Sequence, residues 1–190
     1  DPKCIPHRIR PMYGIGRRDT EYPLLLNNRG SVVVKQQNQI IEDSLFRLFS
    51  SIGHYAFEGL TNRILAAHLK RFYHPTPRTG DGGLDGIIFS NESSEPTYLI
   101  QSKQYSVPVT EKEISKFSMQ SEVWAEENDE YVESIFVALS GYTSSALNEA
   151  SNRDMLTLNG HELAELARKN GIGVVQCSFP LIDEKYWLEI

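Results

Sequence analysis

Gly80-Asp-Gly-Gly-Leu-Asp-Gly-Ile-Ile-Phe89 and Thr97-Tyr-Leu-Ile-Gln-Ser-Lys-Gln-Tyr105, joined by the polar segment 90–96, decide how this chain folds. The runs 84–89 and 97–105 are short, rich in Ile, Leu and Tyr, and flanked by turn-forming residues, so they read as the two strands of a hairpin. Alternate side chains of a strand share a face, which aims Gln101 and Lys103 one way and Ile100 and Ser102 the other. A lysine set into an apolar strand costs several kcal/mol, roughly, unless it has a counter-charge or borders a wet cleft. Asp85, on the preceding strand among glycines that permit close approach, supplies that counter-charge. Asp85, Gln101 and Lys103 are therefore expected to converge.

Working outward from the hairpin, Phe57, Leu60, Ile64, Leu65, Leu69 and Phe72 form a helical stripe that ends before Pro75 and Pro77, with Glu58 at its margin. Ile40, Ile41, Leu45, Leu48, Phe49 and Ile52 form an earlier amphipathic helix that stops at Gly53. Residues 1–35, with Pro2, Pro6, Pro11, Pro23 and several glycines and asparagines, read as an extended arm or linker. Its Arg8, Arg10, Arg17 and Arg18 suit contact with phosphate or with a neighbouring domain.

Downstream, 111–126 is patterned as a helix with Ile114, Phe117 and Met119 or Val123 inward. Residues 134–139 read as a central strand, 143–151 as a helix capped by Thr143 or Ser144, 155–158 as a short strand, and 161–169 as a helix closed by Gly171. Strand alternating with helix implies parallel strands covered on both faces, and the hairpin adds an antiparallel part, so the fold class is α/β with a mixed central sheet. The implied organisation is an arm (1–35), an amphipathic helix (36–53), a catalytic-type domain (54–176) and a C-terminal extension (177–190).

At 190 residues the chain suits one well-buried core with an extension, and 40% hydrophobic with 23% charged residues is the balance of a globular protein in water. No apolar run approaches the ~20 residues that span a bilayer, and the N-terminus lacks the plan of a signal peptide, so no membrane and a cytoplasmic location are expected. The missing initiating Met leads us to expect further domains or subunits in a longer parent protein. Cys4 and Cys177 lack zinc-site spacing. The net charge of -6 is the wrong sign for a protein that grips nucleic acid mainly through a basic surface, although a site for divalent cations concentrates carboxylates.

A carboxylate, an amide oxygen and a lysine together suit phosphodiester hydrolysis. Oxygen ligands hold a hard cation such as Mg2+, the cation polarises the phosphate, and the lysine handles water and developing charge. A rival reading notes that Asp81, Asp85, Gly86 and Glu92 fall at the first, fifth, sixth and twelfth positions of an EF-hand loop. Gly83 at the third position and a strand-like 87–89 where a helix is needed argue against it. His54, His68, His74 and His161 lack metal-like spacing, and His68 reads as structural. Tyr105 is placed to stack on a base or to pack, and Lys112, Lys116 and Gln120 share a helix face that suits a DNA backbone or solvent.

Phe57-Glu-Gly-Leu60, Gly80-Asp-Gly-Gly-Leu-Asp-Gly86, Gln101-Ser-Lys-Gln-Tyr105 and Leu158-Asn-Gly-His-Glu-Leu163 together resemble the Mrr-type restriction endonuclease family of the PD-(D/E)xK nuclease superfamily. The resemblance implies a three-layer restriction-endonuclease-like fold, with Asp85 and Gln101 on the metal side, Lys103 as catalytic lysine, and Glu58 as an accessory acid and third metal-side residue. It further implies Mg2+, with Mn2+ as substitute, DNA as substrate, a role in restriction or antiviral defence, and a homodimer by analogy with restriction enzymes. Gln104 stands where the family often has a basic residue, and 140–146 resembles a structural or phosphate-proximal segment. Two other readings share these residues: a non-catalytic nucleic-acid or protein-interaction module on the same fold, and an RNase or junction-cutting enzyme using the same site.

Overall fold

The computed structural model describes residues 22–75, 84–89 and 96–175. The residues 1–21 of the arm with their arginines, the segment 79–83 with Asp81, the segment 90–95 with Glu92, and the extension 177–190 lie outside the described residues. Of the two compact units into which the chain divides, the one comprising Gln36–Pro180 carries the sheet.

Two helices lead in, α1 (Tyr22–Ser51) and α2 (His54–Leu69), followed by strands β1 (Tyr73–Pro75), β2 (Gly86–Ile88) and β3 (Thr97–Lys103). Then α3 (Glu111–Asn128), β4 (Val132–Ala138), α4 (Ser144–Asn152), β5 (Leu156–Asn159) and α5 (Gly160–Lys169) alternate. The five strands lie in sequence order in one sheet. The first three are antiparallel, with Ile87 opposite Leu99, and the last three are parallel, with Ile100 opposite Ile135 and Val137 opposite Leu158. The α/β class, the hairpin and the mixed sheet are thus as the sequence implies.

Each sheet face buries a separate cluster. Ile88, Ile100, Ile135 and Val137 pack with Phe57, Ile64 and Leu65 of α2 and Leu163, Ala164 and Ala167 of α5. On the other face, Leu99, Phe136 and Ala138 pack with Ile114 and Phe117 of α3 and Ala146 and Ala150 of α4. Neighbours Leu99 and Ile100 are both 0% exposed, which makes β3 a strand covered on two sides, and the whole a three-layer structure.

The helix ends have local causes. Thr143 accepts from Ala146 N at 3.2 Å and caps α4. Asn159 accepts from His161 N and Glu162 N at 2.9 and 3.1 Å, while the Glu162 carboxylate accepts from Asn159 N at 2.7 Å, a capping box that starts α5. A Cβ on Gly160 would lie 2.7 Å from the Leu139 carbonyl oxygen and from the Phe46 ring, so the turn into α5 admits only glycine. His161 stacks on Phe46 with ring centroids 4.2 Å apart. The 158–163 motif therefore docks a helix against the sheet.

Five expectations are corrected. Residues 22–35, expected as extended arm, belong to α1; Pro23 falls in its first turn, where a missing N–H breaks no helical bond. Within α1 only Leu45 and Phe49 of the apolar stripe are buried, whereas Ile40 and Leu48 are 64% and 56% exposed. Phe72 is exposed because α2 ends at Leu69, with Lys70 in the left-handed region at φ 57°, and the chain turns into β1. In α3, Met119 and Val123 point outward; the inward line is Ile114, Phe117, Ser118 and Ser121, with Ser121 bonded back to the Phe117 carbonyl. His68, read as structural, is exposed.

Candidate active site

The hairpin register pairs Gly86 with Ile100, which brings Asp85, just before β2, alongside Gln101. Asp85 N donates to the Ile100 carbonyl at 2.8 Å and so continues the ladder by one bond. One carboxylate oxygen, Oδ2, accepts from Gln101 Nε2 at 2.6 Å, from Ser102 N at 2.6 Å and from Ser102 Oγ at 3.0 Å. Burial pushes the Asp85 carboxyl above its ordinary range, and it does so against the opposing pull of the Ser102 N–H, the Lys103 charge, the Ser102 hydroxyl and the Gln101 amide. A carboxylate held this way gains from any further positive charge nearby.

Lys103 closes β3, opposite Ala138 of β4. It lines a cleft of about 170 Å³ together with Phe57, Glu58, Ser102 and Tyr105, and with His54 and Gln104 at its sides. Among the described residues the Lys103 side chain has no hydrogen bond or ion pair, although its charge acts on Asp85. Tyr105 is 43% exposed at the same cleft. Gln104 Nε2 donates to the Phe49 and Ile52 carbonyls, both at 2.6 Å, and so ties the end of β3 to the end of α1. The neutral residue after the lysine is a structural clamp.

Of the four residues expected at the site, Glu58 and Lys103 thus share the cleft, and Asp85 and Gln101 share a hydrogen bond. Ser102 joins the two pairs, lining the cleft and donating twice to Asp85. Sequence reasoning missed Ser102, because strand alternation turns it away from Gln101. Asp85 lies ahead of β2, outside the pleat, and its side chain reaches across the strand end.

Among the described residues no three His, Cys, Asp or Glu side chains are grouped closely enough to hold a metal ion by themselves. Asp85 Oδ1 and Gln101 Oε1 have no hydrogen-bond partner among those residues. These are oxygen donors beside a carboxyl whose burial calls for a cation, and Mg2+ takes only one or two protein carboxylates and completes its shell with water and phosphate. The donor set fits a hard divalent cation in kind, and does not fit zinc.

No curated protein matches the chain. Among solved structures, the chain is similar to "MspJI Restriction Endonuclease in Complex with 27-mer Oligonucleotide" at 20% identity and a TM-score of 0.47, over 69% of this chain and 31% of that one. The chain therefore spans about a third of the length of that protein. The family model Mrr_cat, described as a restriction endonuclease, matches residues 49–167, a stretch that holds Glu58, Asp85, Gln101, Ser102 and Lys103. The chain belongs to the Mrr_cat restriction endonuclease family.

Proposed function

We propose that this chain is a metal-dependent endonuclease that hydrolyses DNA phosphodiester bonds, acting in restriction of or defence against foreign DNA, with Asp85, Gln101, Lys103 and Glu58 as its site. The observation that carries this reading is the cleft itself: a lysine without a contact partner among the described residues, beside Glu58, and joined through Ser102 to a buried carboxylate. A bound Mg2+, or Mn2+ in its place, would be held by Asp85 and Gln101 with help from Glu58 and would supply Lewis-acid polarisation of the scissile phosphate. Lys103 orients the attacking water from the cleft and, as a cation, steadies the charge that builds on the phosphate oxygens. Glu58 accepts a proton from that water as its oxygen bonds to phosphorus and the bond to the leaving sugar oxygen breaks. Ser102 donates two hydrogen bonds to Asp85, which favour its ionised form against the burial that opposes it.

The same reading makes 54–176 the nuclease region of a longer cytoplasmic protein whose other parts choose the sequence, with 177–190 as an extension. No described helix is long and apolar enough to cross a membrane. Cutting both strands in one encounter is served by two active sites, and the exposed Ile40, Ile41 and Leu48 of α1 support a homodimer. Sedimentation velocity on the wild type and on Ile41→Asp/Leu48→Asp tests that point: a dimer that dissociates supports it, and a monomeric wild type removes it.

Plasmid cleavage in Mg2+, with EDTA and with RNA as parallel arms, tests the function. Cutting of DNA that EDTA abolishes is the expected result. Cutting of RNA alone moves the substrate, and no cutting of either by the wild type replaces the enzyme with a non-catalytic binding module, the reading that the net charge of -6 favours.

A further inference from the structure

Asn62 lies one helical turn beyond Glu58 on α2, so the two residues sit on the same side of that helix. Glu58 lines the cleft, while Asn62 is 1% exposed. The Asn62 Nδ2 donates to the Asp85 main-chain oxygen at 2.8 Å, and its Oδ1 is buried without a hydrogen-bond partner among the described residues. A half-satisfied amide in a core is a costly way to fill space, since an apolar side chain of similar size would do so without stranding a polar atom. Its neighbour is fitted to it. A Cβ built on Gly86 would fall 2.3 Å from Asn62 Oδ1 and 2.5 Å from Cγ and Nδ2, so the strand approaches the amide as closely as only a glycine allows.

The Asp85 peptide is therefore pinned from two sides. Its N–H is bonded to the Ile100 carbonyl of β3, and its C=O is bonded to Asn62 of α2. The side chain that leaves this pinned backbone is the one that takes three hydrogen bonds from Gln101 and Ser102. We propose that Asn62 is a positioning residue: it fixes the Asp85 backbone against α2 and thereby sets where the Asp85 carboxylate stands relative to Glu58 on the same helix. Gly86 is the second half of this device, because it lets the strand come close enough for the bond. The inference rests on the reading of Asp85 and Glu58 as site residues given above.

The test compares Asn62→Ala, Gly86→Ala and the double variant by melting temperature, by plasmid cleavage kinetics and by the amide resonance of Ser102 in a 15N-labelled sample. Gly86→Ala alone lowers the melting temperature through its clash with the Asn62 amide, and Asn62→Ala added to it restores much of that loss. Cleavage does not return with stability: kcat of the double variant stays about 10- to 100-fold below wild type, the range for loss of an outer-shell partner, with KM little changed. The Ser102 resonance, which reports the N–H bonded to Asp85 Oδ2, moves in every variant that lacks Asn62. A refolded double variant with wild-type kcat, or an unmoved Ser102 resonance in Asn62→Ala, overturns the proposal. A wild type that cuts nothing removes the nuclease reading, while the Ser102 resonance of Asn62→Ala still decides whether Asn62 holds Asp85.

Discussion

The parallel pair β3–β4 has a polar cleft at each end, and the two are built differently. Where β4 begins, at Val132, Glu133 and Ser134, a cleft of about 460 Å³ is bordered by Ser118, Glu122 and Arg153. Its cation is paired: Arg153 bonds Glu149 at 2.6 Å and Glu122 at 3.5 Å, and Ser118 bonds Glu122 at 3.0 Å. Where β3 ends, the cleft is only about 170 Å³, yet Lys103 stands in it without a contact partner among the described residues and the Asp85 carboxyl behind it is held above its ordinary pKa range. Size does not mark the end proposed as the active site. Charges that neutralise each other build structure, whereas charges held apart at cost are available to a substrate. The smaller cleft also lies at the carboxyl ends of the parallel strands, where open α/β sheets place their ligands.

The largest effect expected from this contrast is at the lysine end. Lys103→Ala and Asp85→Ala should each lower plasmid cleavage by at least about 10²- to 10³-fold, with circular dichroism unchanged. Metal-dependent cutting that survives both substitutions removes the assigned site. Glu58→Gln, at the same cleft but farther from the Asp85 cluster, should cost less, about 10- to 100-fold in kcat. A null effect there would confine the site to the hairpin.

Smaller, and opposite in sign for stability, is the consequence of burying Asp85. Its folded-state pKa is raised above the unfolded value of 3.8, so the folded state binds the proton more tightly. Stability from this group is present below pH 3.8 and is lost as pH rises through the folded-state pKa. Asp85→Asn, which keeps the shape without the charge, should therefore raise the melting temperature at neutral pH by about 2–4 °C while abolishing cleavage. The gain should shrink towards pH 3.8. A melting temperature that falls at neutral pH would mean that the hydrogen bonds from Ser102 and Gln101 outweigh the burial. The smallest effect belongs to the other cleft: Arg153→Ala should lower the melting temperature slightly and leave cleavage within about twofold of wild type. A cleavage loss there as deep as that of Lys103→Ala would erase the distinction between the two ends.

Elements with strong periodicity were legible from residues alone. The hairpin, β4, the capped start of α4 and the helix α5 follow from alternation, apolar periodicity and capping residues, all of which act within a few positions along the chain. Elements that depend on distant partners were not. β1 has three residues, too few to carry a period, and exists because β2 offers it an edge. The inward face of α3 ends in Ser118 and Ser121 and not in Met119 or Val123, because what packs there is chosen by α4 and β4. Likewise the exposed half of the α1 stripe shows that apolar spacing marks a helix but not how much of it finds a cover.

The site divides along the same line. The sequence by itself determined the residue types, their order and the hairpin that brings Asp85 beside Gln101, because strand register is a local consequence of two short runs and the turn between them. Only the tertiary structure decided that Ser102 reaches Asp85, that Gln104 clamps α1, and that Asn62 holds the Asp85 backbone against a glycine. Those contacts join residues 17, 55 and 23 positions apart. No pattern of local spacing contains them, since each depends on how a helix docks on the sheet and on which buried polar group is left in need of a partner.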